Sequence, residues 1–582
     1  MPTRWGGVLF GIKRALYQAR RALRDLGAGP QFLAKSKDAG FLVTLGTSRT
    51  PLWSDDRQEE RAYQFGKVQN LRRAAADLDG VLIPAGAVFS FWKQIGRASR
   101  RRGFVTGRML QQGCLVPAAG GGLCQLSNAL YDTALQAGCE IVERHAHSRI
   151  VAGSIAAAGR DATVAWNYVD LRFRAPAAMR IDARMTRDEL VIRFRTPHDI
   201  TASTVMRPHI ARAEQGHVGA VARTCATCGE KGCFRHEHRS EELQTVSATH
   251  LGVCAFLVDE NWPEFEEYIE RARRPGDVFG LPLDGATWGL ARYRWENEGF
   301  ARAGSAPLQA LRRAIAVRRA PAQGARRREA EQFGAQRIAT RLSRLLTPDV
   351  TKIVVAQSLL PILGRQGHLG GREVEVLMTR LPMAKLHARL DRALDNHPER
   401  STLGDFRAPR ELVEDEDAAL TYAARIVSPH AEITGLYAEK SLALPWRQPP
   451  VRPVNRGAPA PRRIAFPRPT VARKGAYELR EAARVLDLEV VLLGSELEGP
   501  EFWNGIKTLK FDAGGRQWLE QVAAVVQPAI AEDRPRHLLT ALAAGVPVIA
   551  SPACGLAPRP GLSVVSADDP AALMAALRAC LG

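Results

Sequence analysis

The sequence predicts a multidomain α/β protein, with a mixed α+β first half and parallel sheets joined by crossover helices in the second half. Three observations predict this fold class. A chain of 582 residues is too long to form one hydrophobic core. Its composition, 46% hydrophobic and 24% charged, is that of a folded globular protein. From residue 249 onward, strand-like segments alternate with helical ones, as in parallel sheets.

The charge and the cysteine content narrow the class of protein further. The net charge is +20, but the arginines are spread along the chain with few interleaved aromatic residues, so we expect no dedicated nucleic-acid binding. A diffuse positive field still attracts anionic substrates, nucleotides or membrane surfaces. The nine cysteines are scattered and odd in number, which favours reduced thiols over a disulfide framework.

From the sequence we expect neither an export signal at the N-terminus nor a membrane-spanning helix. The early apolar run Val8–Phe10 is too short for a signal peptide, and no apolar run in the chain has the length that crosses a bilayer. We therefore expect a cytoplasmic protein, with peripheral contact at the inner face of the membrane as an open alternative.

That contact would come from residues 7–26, which predict a basic amphipathic helix within an N-terminal segment 1–40. The apolar stripe and the basic residues lie on different faces of this helix. They are Val8, Ile12, Leu16, Ala19 and Leu23 on one face and Lys13, Arg14, Arg20, Arg21 and Arg24 on the other. Such a helix suits an anionic membrane surface, or packing on the following domain, and both readings stay open.

The segment GGGLCQLSNALY (120–131) predicts a sharp turn that leads into a helix. Apolar residues recur at helical spacing after the glycines, and Gly138 marks a stop. The glycines allow a tight turn and a close backbone approach. Cys124 then falls in the first helical turn, where unpaired N–H groups and the helix dipole favour a thiolate. This arrangement predicts a nucleophile. Short strands, such as Val81–Ile83 and Thr163–Trp166, are expected around the helix.

Two histidines downstream are candidates for the base that activates this cysteine. On a strand, His145 and His147 would point the same way. Either ring could accept the Cys124 proton, and a third polar group could orient it.

The surrounding run resembles the VanW family. The matching segments are VLIPAGAVFSF (81–91), IGRASRRRGF (95–104), GGGLCQLSNALYDTALQAGCEIVERHAHS (120–148) and GRDATVAWNYVDLRFR (159–174). VanW proteins are best known as accessories in vancomycin-resistance clusters. Some VanW-domain proteins are described as L,D-transpeptidases that use the cysteine of this motif to cross-link peptidoglycan.

The resemblance implies roles for particular residues of this chain. Cys124 is the expected nucleophile, with His147 as its base and His145 as the alternative. The turn at Gly121 and Gly122, with the first helical N–H groups, is expected to form an oxyanion hole. The remaining candidates for orienting the base or holding substrate are Gln125, Arg160 and Asp161.

A cysteine cluster follows, in the segment CATCGEKGCFRHEH. Its spacing resembles a zinc knuckle, because two thiolates separated by two residues can reach one ion. The candidate ligands are Cys225, Cys228, Cys233 and either His236 or His238. A structural zinc is therefore expected in a linker at 206–248, with a loop of free thiols as the alternative.

In the second half, two motifs predict a ligand site that takes a phosphate group. Lys474 and Gly475 begin a helix after a strand, which suits a phosphate group. Glu532 follows another strand, at the edge where parallel sheets bind ligands. The Pro- and Arg-rich segment 447–463 divides this half in two.

Residues 249–582 resemble the family 4 glycosyltransferases, which have two Rossmann-like domains in the GT-B arrangement. The resemblance implies that Arg473, Lys474 and Gly475 contact the diphosphate of a nucleotide-sugar donor. In the family's E-x7-E motif, Glu532 takes the first position, whereas Thr540 replaces the second glutamate. An acceptor domain (249–455) precedes the donor domain (456–582), and Gly370, Gly371 and His430 are expected to face the cleft between them.

Together, these features predict a VanW-like domain (41–205) with cysteine-dependent acyl transfer, fused to a retaining glycosyltransferase for cell-envelope glycoconjugates. The expected ligands are a nucleotide-sugar and a glycan, lipid-linked or peptide acceptor. Two alternatives stay open. The VanW-like domain could bind the acceptor without catalysis, or the Thr540 substitution could leave the transferase fold as a scaffold.

Overall fold

The computed structural model describes residues 4–36, 40–53, 60–111, 114–147, 159–197, 223–224, 252–451, 453, 462–467, 469–511 and 515–581. The chain divides into two compact units. The first unit comprises Met1–Val253 with two short later segments, Leu346–Thr351 and Gln366–Glu373. The second comprises Cys254–Leu345, Lys352–Arg365 and Val374–Gly582.

Within the described residues, the first unit combines helices with small sheets. The helices are α1 (Arg4–Ala28), α2 (Arg61–Leu78), α3 (Phe91–Ile95) and α4 (Leu123–Gln136). The strands are β1 (Phe41–Pro51), β2 (Leu82–Ile83), β3 (Val88–Ser90), β4 (Thr106–Gln111), β5 (Cys114–Ala119), β6 (Glu140–Glu143), β7 (Arg172–Arg174), β8 (Met179–Met185), β9 (Glu189–Pro197) and β10 (Arg223–Thr224).

These strands form an antiparallel sheet of order β1-β9-β8-β2, a sheet β3-β7-β6 and a sheet β10-β5-β4. Helices α2 and α4 supply apolar faces to the core between them, because their apolar residues recur at helical spacing. Leu71, Leu126 and Leu130 are buried there with Phe173 and Phe194. Helix α4 begins one residue before Cys124, so this core fixes the position of the cysteine.

The predicted strand at Thr163–Trp166 is wrong. This segment makes only an isolated bridge between Ala165 and Val169. Asn167 takes a positive φ of 55°, so the chain turns back before a strand can extend. The apolar residues of this segment are buried in a turn, and not in a strand.

The second unit contains two parallel sheets with helices between their strands. The strands of the first sheet are β11 (Val253–Leu257), β12 (Val278–Leu281), β13 (Arg302–Ser305), β14 (Val350–Ala356), β15 (Glu373–Leu377), β16 (Arg425–Ser428) and β17 (Ser441–Ala443). Those of the second are β18 (Arg463–Pro467), β19 (Glu489–Leu493), β20 (Thr508–Lys510), β21 (Ala524–Gln527), β22 (Val548–Ala550) and β23 (Leu562–Val564).

The helices of this unit are α5 (Pro263–Ala272), α6 (Pro307–Arg319), α7 (Ala325–Leu342), α8 (Leu360–Arg365), α9 (Met383–Asn396), α10 (Arg410–Tyr422), α11 (Ala431–Leu436), α12 (Ala476–Val485), α13 (Arg536–Ala543) and α14 (Pro570–Leu581). The strand orders are β13-β12-β11-β14-β15-β16-β17 and β20-β19-β18-β21-β22-β23. In each sheet the first strand lies inside and the order reverses beside it, as in doubly wound Rossmann-like folds. Ligands bind such sheets at the reversal, beyond the carboxyl ends of the strands.

Candidate functional site

The turn before α4 is built from glycines that approach other backbone segments closely. Gly120 and Gly122 have φ values of 76° and 95°, which favour glycine. A Cβ atom on Gly121 would lie 2.3 Å from the carbonyl carbon of Gly107. The Asn70 amide donates to the Gly121 carbonyl at 2.9 Å and fixes the turn from α2. The turn therefore holds the start of α4 rigidly, with Cys124 in its first turn.

The Cys124 thiol lies beside a second backbone segment and a histidine. Its Sγ is 4.0 Å from both the Thr163 hydroxyl and the Val164 carbonyl. The ring of His147 lies close enough to the thiol to interact with it, and this interaction lowers the pKa of Cys124. Ser127, one turn along α4, donates to the Ala162 carbonyl at 2.6 Å. This bond holds the 162–164 segment against the helix that carries the cysteine.

His147 is oriented by Asp161. The Asp161 carboxylate accepts hydrogen bonds from the His147 backbone at 2.6 Å and pairs with the ring Nδ1 at 2.9 Å. Arg144 in turn donates to the Asp161 carboxylate at 2.6 Å and to its backbone carbonyl at 2.7 Å. With Nδ1 occupied by Asp161, the other ring nitrogen is left for the thiol. Cys124, His147 and Asp161 thus form a chain of three interacting side chains, with the His147 ring between the thiol and the carboxylate.

The electrostatics of this chain favour a thiolate–imidazolium pair. Burial alone would raise the pKa of Cys124, but the hydrogen bond and charge of His147 lower it below its ordinary value. Burial would likewise lower the pKa of His147, yet its bonds to Asp161 and Cys124 raise that pKa to about 9. Both shifts favour the form in which His147, and not Cys124, carries the proton.

The other sequence candidates in this unit lie outside the chain of three. His145 is half exposed, and its Nε2 lies 3.3 Å from Glu143. Gln125 donates to Thr50 and Pro51 and so ties α4 to β1. Arg160 pairs with Asp132 at 2.6 Å. The Gly121 N–H donates to Ala118 at 3.0 Å, so it is engaged within the turn.

A second cluster lies at the reversal point of the second sheet in the other unit. Lys474 follows β18, and Glu532 follows β21, the strand beside it. The two buried side chains form an ion pair at 2.5 Å. Gln527 and the Arg534 backbone also donate to the Glu532 carboxylate, at 2.6 Å and 2.7 Å. A cation and a carboxylate are thus fixed where such sheets bind ligands.

Further cations surround this pair. Burial and the Arg380 charge lower the pKa of Arg328 to about 10. Arg328 and Arg473 lie over the same ring, that of Phe406, with 4.4 Å and 4.9 Å to its centroid. Partial burial would raise the pKa of Asp533, but nearby cations, Lys474 first, lower it. Such crowding of positive charge raises the local affinity for an anionic group.

The remaining candidates of this site are arranged as follows. Gly475 has a φ of 87°, and a Cβ there would lie 2.2 Å from the Pro528 carbonyl, so only glycine fits. His430 is buried, and its Nε2 lies 3.0 Å from the Glu532 carbonyl. The His430 Nδ1 has no hydrogen-bond partner in the part of the chain that the structure describes. Thr540 donates to the Arg536 carbonyl within α13.

The prediction that Gly370 and Gly371 face the cleft is wrong. Both glycines belong to the short segment that clusters with the first unit. Gly370 accepts a 2.6 Å hydrogen bond from Arg72, and Gly371 donates to Thr186 at 2.9 Å. Their Cβ positions are filled by side chains of the first unit, among them Met185. The glycine pair packs against α2 and β8, which sequence spacing could not reveal.

The predicted zinc ligands lie outside the described residues. They are Cys225, Cys228, Cys233, His236 and His238. Within the described ranges, no group of three or more metal-ligating side chains comes together. In the same ranges, no helix combines the length and apolar character that crossing a bilayer requires.

Sequence reasoning missed Arg144, Arg328 and Arg380. Arg144 is adjacent to the predicted histidines, and the run ERH was a usable signal for an ion pair with a buried carboxylate. Arg328 and Arg380 gave no local signal. They reach the second cluster from α7 and from the end of β15, and only the tertiary fold brings them together.

Sequence comparisons with known proteins match part of the first half of the chain to a family. Residues 66–195 match the family model described as VanW like protein. The chain is 34% identical over 128 residues to the vancomycin B-type resistance protein VanW of Enterococcus faecalis. It is also 34% identical over 105 residues to the uncharacterized protein YoaR of Bacillus subtilis. These matches cover 21% and 18% of this chain, and 46% and 34% of the two relatives.

Among solved structures, the chain is similar to the sucrose-phosphate synthase of Thermosynechococcus elongatus, with 13% identity and a TM-score of 0.38. It is also similar to HepE of Anabaena, in complex with UDP and glucose, with 13% identity and a TM-score of 0.33. Each match covers 56% of this chain, and 90% and 89% of those chains. The strand orders described above carry the assignment of the fold. Residues 66–195 therefore form a VanW-like domain, and the second half has two doubly wound Rossmann-like sheets.

Proposed function

We propose that Cys124 is the nucleophile of an acyl-transfer reaction of the L,D-transpeptidase type. The observation that carries this proposal is the chain of interacting side chains from Cys124 through His147 to Asp161, with a 2.9 Å contact between His147 and Asp161. A nucleophile, a base and a carboxylate that orients the base are the recurring parts of covalent acyl transfer. The raised pKa of His147 supports a thiolate that exists before substrate arrives.

The reaction would proceed in two steps. The Cys124 thiolate attacks the carbonyl carbon of a peptide bond and forms a C–S bond. His147 gives its proton to the departing amine as the C–N bond breaks, which leaves a thioester. An acceptor amine then attacks the thioester and loses its proton to His147. The new amide leaves, and the thiolate returns.

The developing oxyanion needs N–H donors beside Cys124. Because the Gly121 N–H is engaged within the turn, the proposal assigns this role to the first N–H groups of α4. The opening N–H groups of a helix have no partner within the helix. Arg144 acts indirectly: it holds Asp161 and thereby the tautomer of His147.

The test is the capture of the acyl-enzyme. Purified full-length protein is incubated with a synthetic peptidoglycan stem peptide, and the mass of intact protein is measured. We expect a thioester adduct on Cys124. The Cys124→Ser variant should form no thioester, because serine has no thiol. His147→Ala should slow adduct formation by roughly 100-fold or more. His145→Ala is the matched control and should react at the wild-type rate.

If His145→Ala and His147→Ala behave alike, the proposed base is wrong. If the wild-type protein binds the stem peptide but forms no adduct, the VanW-like domain is a binding module. Those two outcomes contradict the proposal at different steps.

We propose glycosyl transfer from a nucleotide-sugar as the activity of the second half. The specific observation is the buried Lys474–Glu532 pair at the reversal point of the second sheet, with arginines around it. Lys474 and Arg473 would bind the donor diphosphate, and Glu532 would hold the sugar. The bond from the sugar C1 to the phosphate oxygen breaks, the acceptor oxygen bonds to C1 with retention, and the acceptor proton passes to the diphosphate.

A panel of nucleotide-sugars tests this second activity by calorimetry and by product formation. Lys474→Ala should weaken nucleotide binding, whereas Lys510→Ala, at an exposed lysine, should not. Glu532→Gln should spare binding but lower turnover, because a charge-assisted contact in the transition state contributes about 2–4 kcal/mol.

Thr540→Glu restores the second glutamate of the motif. The affinity for the donor should rise if Thr540 has weakened donor binding, and it should fall if Thr540 is adapted to a different donor. If no nucleotide-sugar binds and none of the variants changes that result, the second half is a scaffold.

A further inference from the structure

Helix α1 presents two opposite faces, and only one of them packs on the protein. The buried or half-buried positions on one side of the helix include Gln18, Arg21 and Asp25. The apolar side chains project from the opposite side, because residues at i, i+4 and i+7 share a helix face. Their exposed fractions include 77% for Trp5 and 70% for Leu23. Others on the same face are exposed as well, namely Val8, Ile12, Leu16 and Leu26.

The docked face is fixed by polar contacts instead of apolar packing. Arg21 makes a two-pronged ion pair with Glu143, at 2.5 Å and 2.7 Å. Asp25 pairs with Arg172 on β7 in the same way, at 2.5 Å and 3.2 Å. Gln18 donates to the Trp166 carbonyl at 2.8 Å. Two forked ion pairs on one helix fix its rotation, so the apolar face is held outward.

The charge on the outward side selects an anionic partner. Residues 4–24 contain no Asp or Glu. Three basic side chains, Lys13, Arg20 and Arg24, lie exposed on the flank of the apolar stripe. An apolar stripe with aromatic residues and a basic flank is the pattern of a helix that lies in the interface of an anionic bilayer.

We propose that α1 docks the VanW-like unit onto an anionic lipid bilayer and holds the Cys124 site at that surface. The bilayer would take the face that carries Trp5, Leu16 and Leu23, with the basic flank on its headgroups. Glu143, which anchors α1, is four residues from His147, a span of at most about 14 Å. Trp166, the other anchor, is two residues from Val164, whose carbonyl contacts the Cys124 thiol.

A membrane-attached substrate follows from this placement. The width of the helix, about 10 Å, and that span of about 14 Å place the site within roughly 25 Å of the bilayer, where it reaches acyl groups that are tethered to the bilayer. The docking surface stands independently of the chemistry at Cys124. The choice of a membrane-attached acyl donor or acceptor rests on the proposed acyl transfer.

Vesicle binding by the full-length protein tests the docking. Vesicles of phosphatidylcholine with a third phosphatidylglycerol are compared with pure phosphatidylcholine, at low and high salt. We expect binding to the anionic vesicles that weakens as salt rises, because salt screens charge. Replacing Lys13, Arg20 and Arg24 together by Gln should weaken binding about 100-fold, since each basic group near such a surface contributes roughly fivefold.

Matched variants on α6 test whether binding depends on the position of these side chains in α1 or only on the total charge and apolar content of the protein. Arg312, Arg318 and Arg319 are exposed on that helix, and their joint change to Gln removes the same charge. Leu16→Asp with Leu23→Asp should abolish binding, whereas Leu308→Asp with Leu311→Asp, also exposed leucines, should not. Equal loss in the α1 and α6 variants would overturn the proposal, and so would absence of anionic-vesicle binding by the wild-type protein.

Alkylation of Cys124 by iodoacetamide distinguishes a failure of membrane docking by α1 from a failure of the proposed acyl transfer at Cys124. The α1 variants should keep the wild-type alkylation rate, which verifies that the site is folded. Loss of vesicle binding with normal alkylation supports the docking role of α1. If the protein binds vesicles but forms no acyl adduct on Cys124, the docking role of α1 is supported and only the proposed acyl transfer is contradicted.

Discussion

At the scale of the residue, Cys124 and Cys139 are the same chemical group in opposite environments. Cys124 has a lowered pKa because His147 offsets the effect of burial, whereas burial raises the pKa of Cys139 to about 12. The thiolate is the reactive form of cysteine. The two side chains therefore offer a test within one molecule.

We predict that iodoacetamide labels Cys124 far faster than Cys139 at neutral pH. A lowered pKa enlarges the thiolate fraction at a given pH, so labelling of Cys124 should persist to lower pH than labelling of an ordinary thiol. His147→Ala should move the profile of Cys124 toward higher pH. Mass spectrometry of labelled peptides, from pH 5 to 10, measures each site. A Cys124 profile unchanged by His147→Ala would contradict this account.

Sequence could identify the members of the Cys124 chain but not their connections. The Gly-rich turn and the helix pattern placed Cys124 in a first turn, and the structure has it there. The choice between His145 and His147 stayed open, because alternate residues of a strand face the same way, and in the structure the strand β6 already ends at Glu143. Asp161 selects His147 through two hydrogen bonds, which no spacing in the chain expresses. The catalytic roles themselves stay proposals.

At the scale of the element, the turn into α4 depends on the absence of side chains. Gly122 has a φ of 95°, and a Cβ there would lie 2.3 Å from the Lys67 side chain. Gly86 also has a positive φ, 75°, but a Cβ there would meet nothing within 4 Å. Substituting alanine at each of these two glycines therefore distinguishes the cost of backbone strain from the cost of a steric clash with a neighbouring side chain.

We predict that Gly122→Ala destabilises the first unit by about 2–4 kcal/mol, as strain and overpacking add. Gly86→Ala should cost about 1–2 kcal/mol, because only the backbone strain applies. Labelling of the buried Cys139 as a function of urea reports unfolding of this unit. Equal costs for the two variants would mean that Lys67 moves aside without penalty.

Helices were more predictable than the short strands. The apolar spacing predicted a helix over 7–26, and the structure has α1 at Arg4–Ala28. The strand expected at Thr163–Trp166 is absent, because the positive φ of Asn167 ends the extended chain. A short apolar run looks alike in a buried turn and in a strand, whereas a long helix repeats its signal several times.

At the scale of the whole molecule, the alternation of strands and helices predicted parallel sheets, but not their strand orders or what meets at the sheet edges. The second sheet brings Lys474 and Glu532 together because β18 and β21 are neighbours. Within the same unit, Arg536 on α13 pairs with Glu264 on α5, at 2.7 Å for both contacts. This pair joins the two sheet-bearing halves of the second unit.

We predict that Arg536→Ala destabilises the second unit by about 2–4 kcal/mol, because the buried carboxylate of Glu264 would lose its ion-pair partner and keep only the Arg447 backbone N–H. Arg410→Ala is the control, since Arg410 is exposed and pairs with Glu414, and it should cost less than about 1 kcal/mol. Labelling of the buried Cys554 against urea measures both variants. Equal and small losses would show that Glu264 finds another donor.

The thiolate of Cys124 has a consequence for oxidation. A thiolate that can attack a carbonyl can also attack hydrogen peroxide, gaining one oxygen as sulfenate and releasing water. Brief peroxide treatment at neutral pH should therefore block iodoacetamide labelling of Cys124, and dithiothreitol should restore it. His147→Ala should resist the same treatment, because less of its thiol is ionised. Any acyl transfer at this site would then stop under oxidative stress and resume when reducing conditions return.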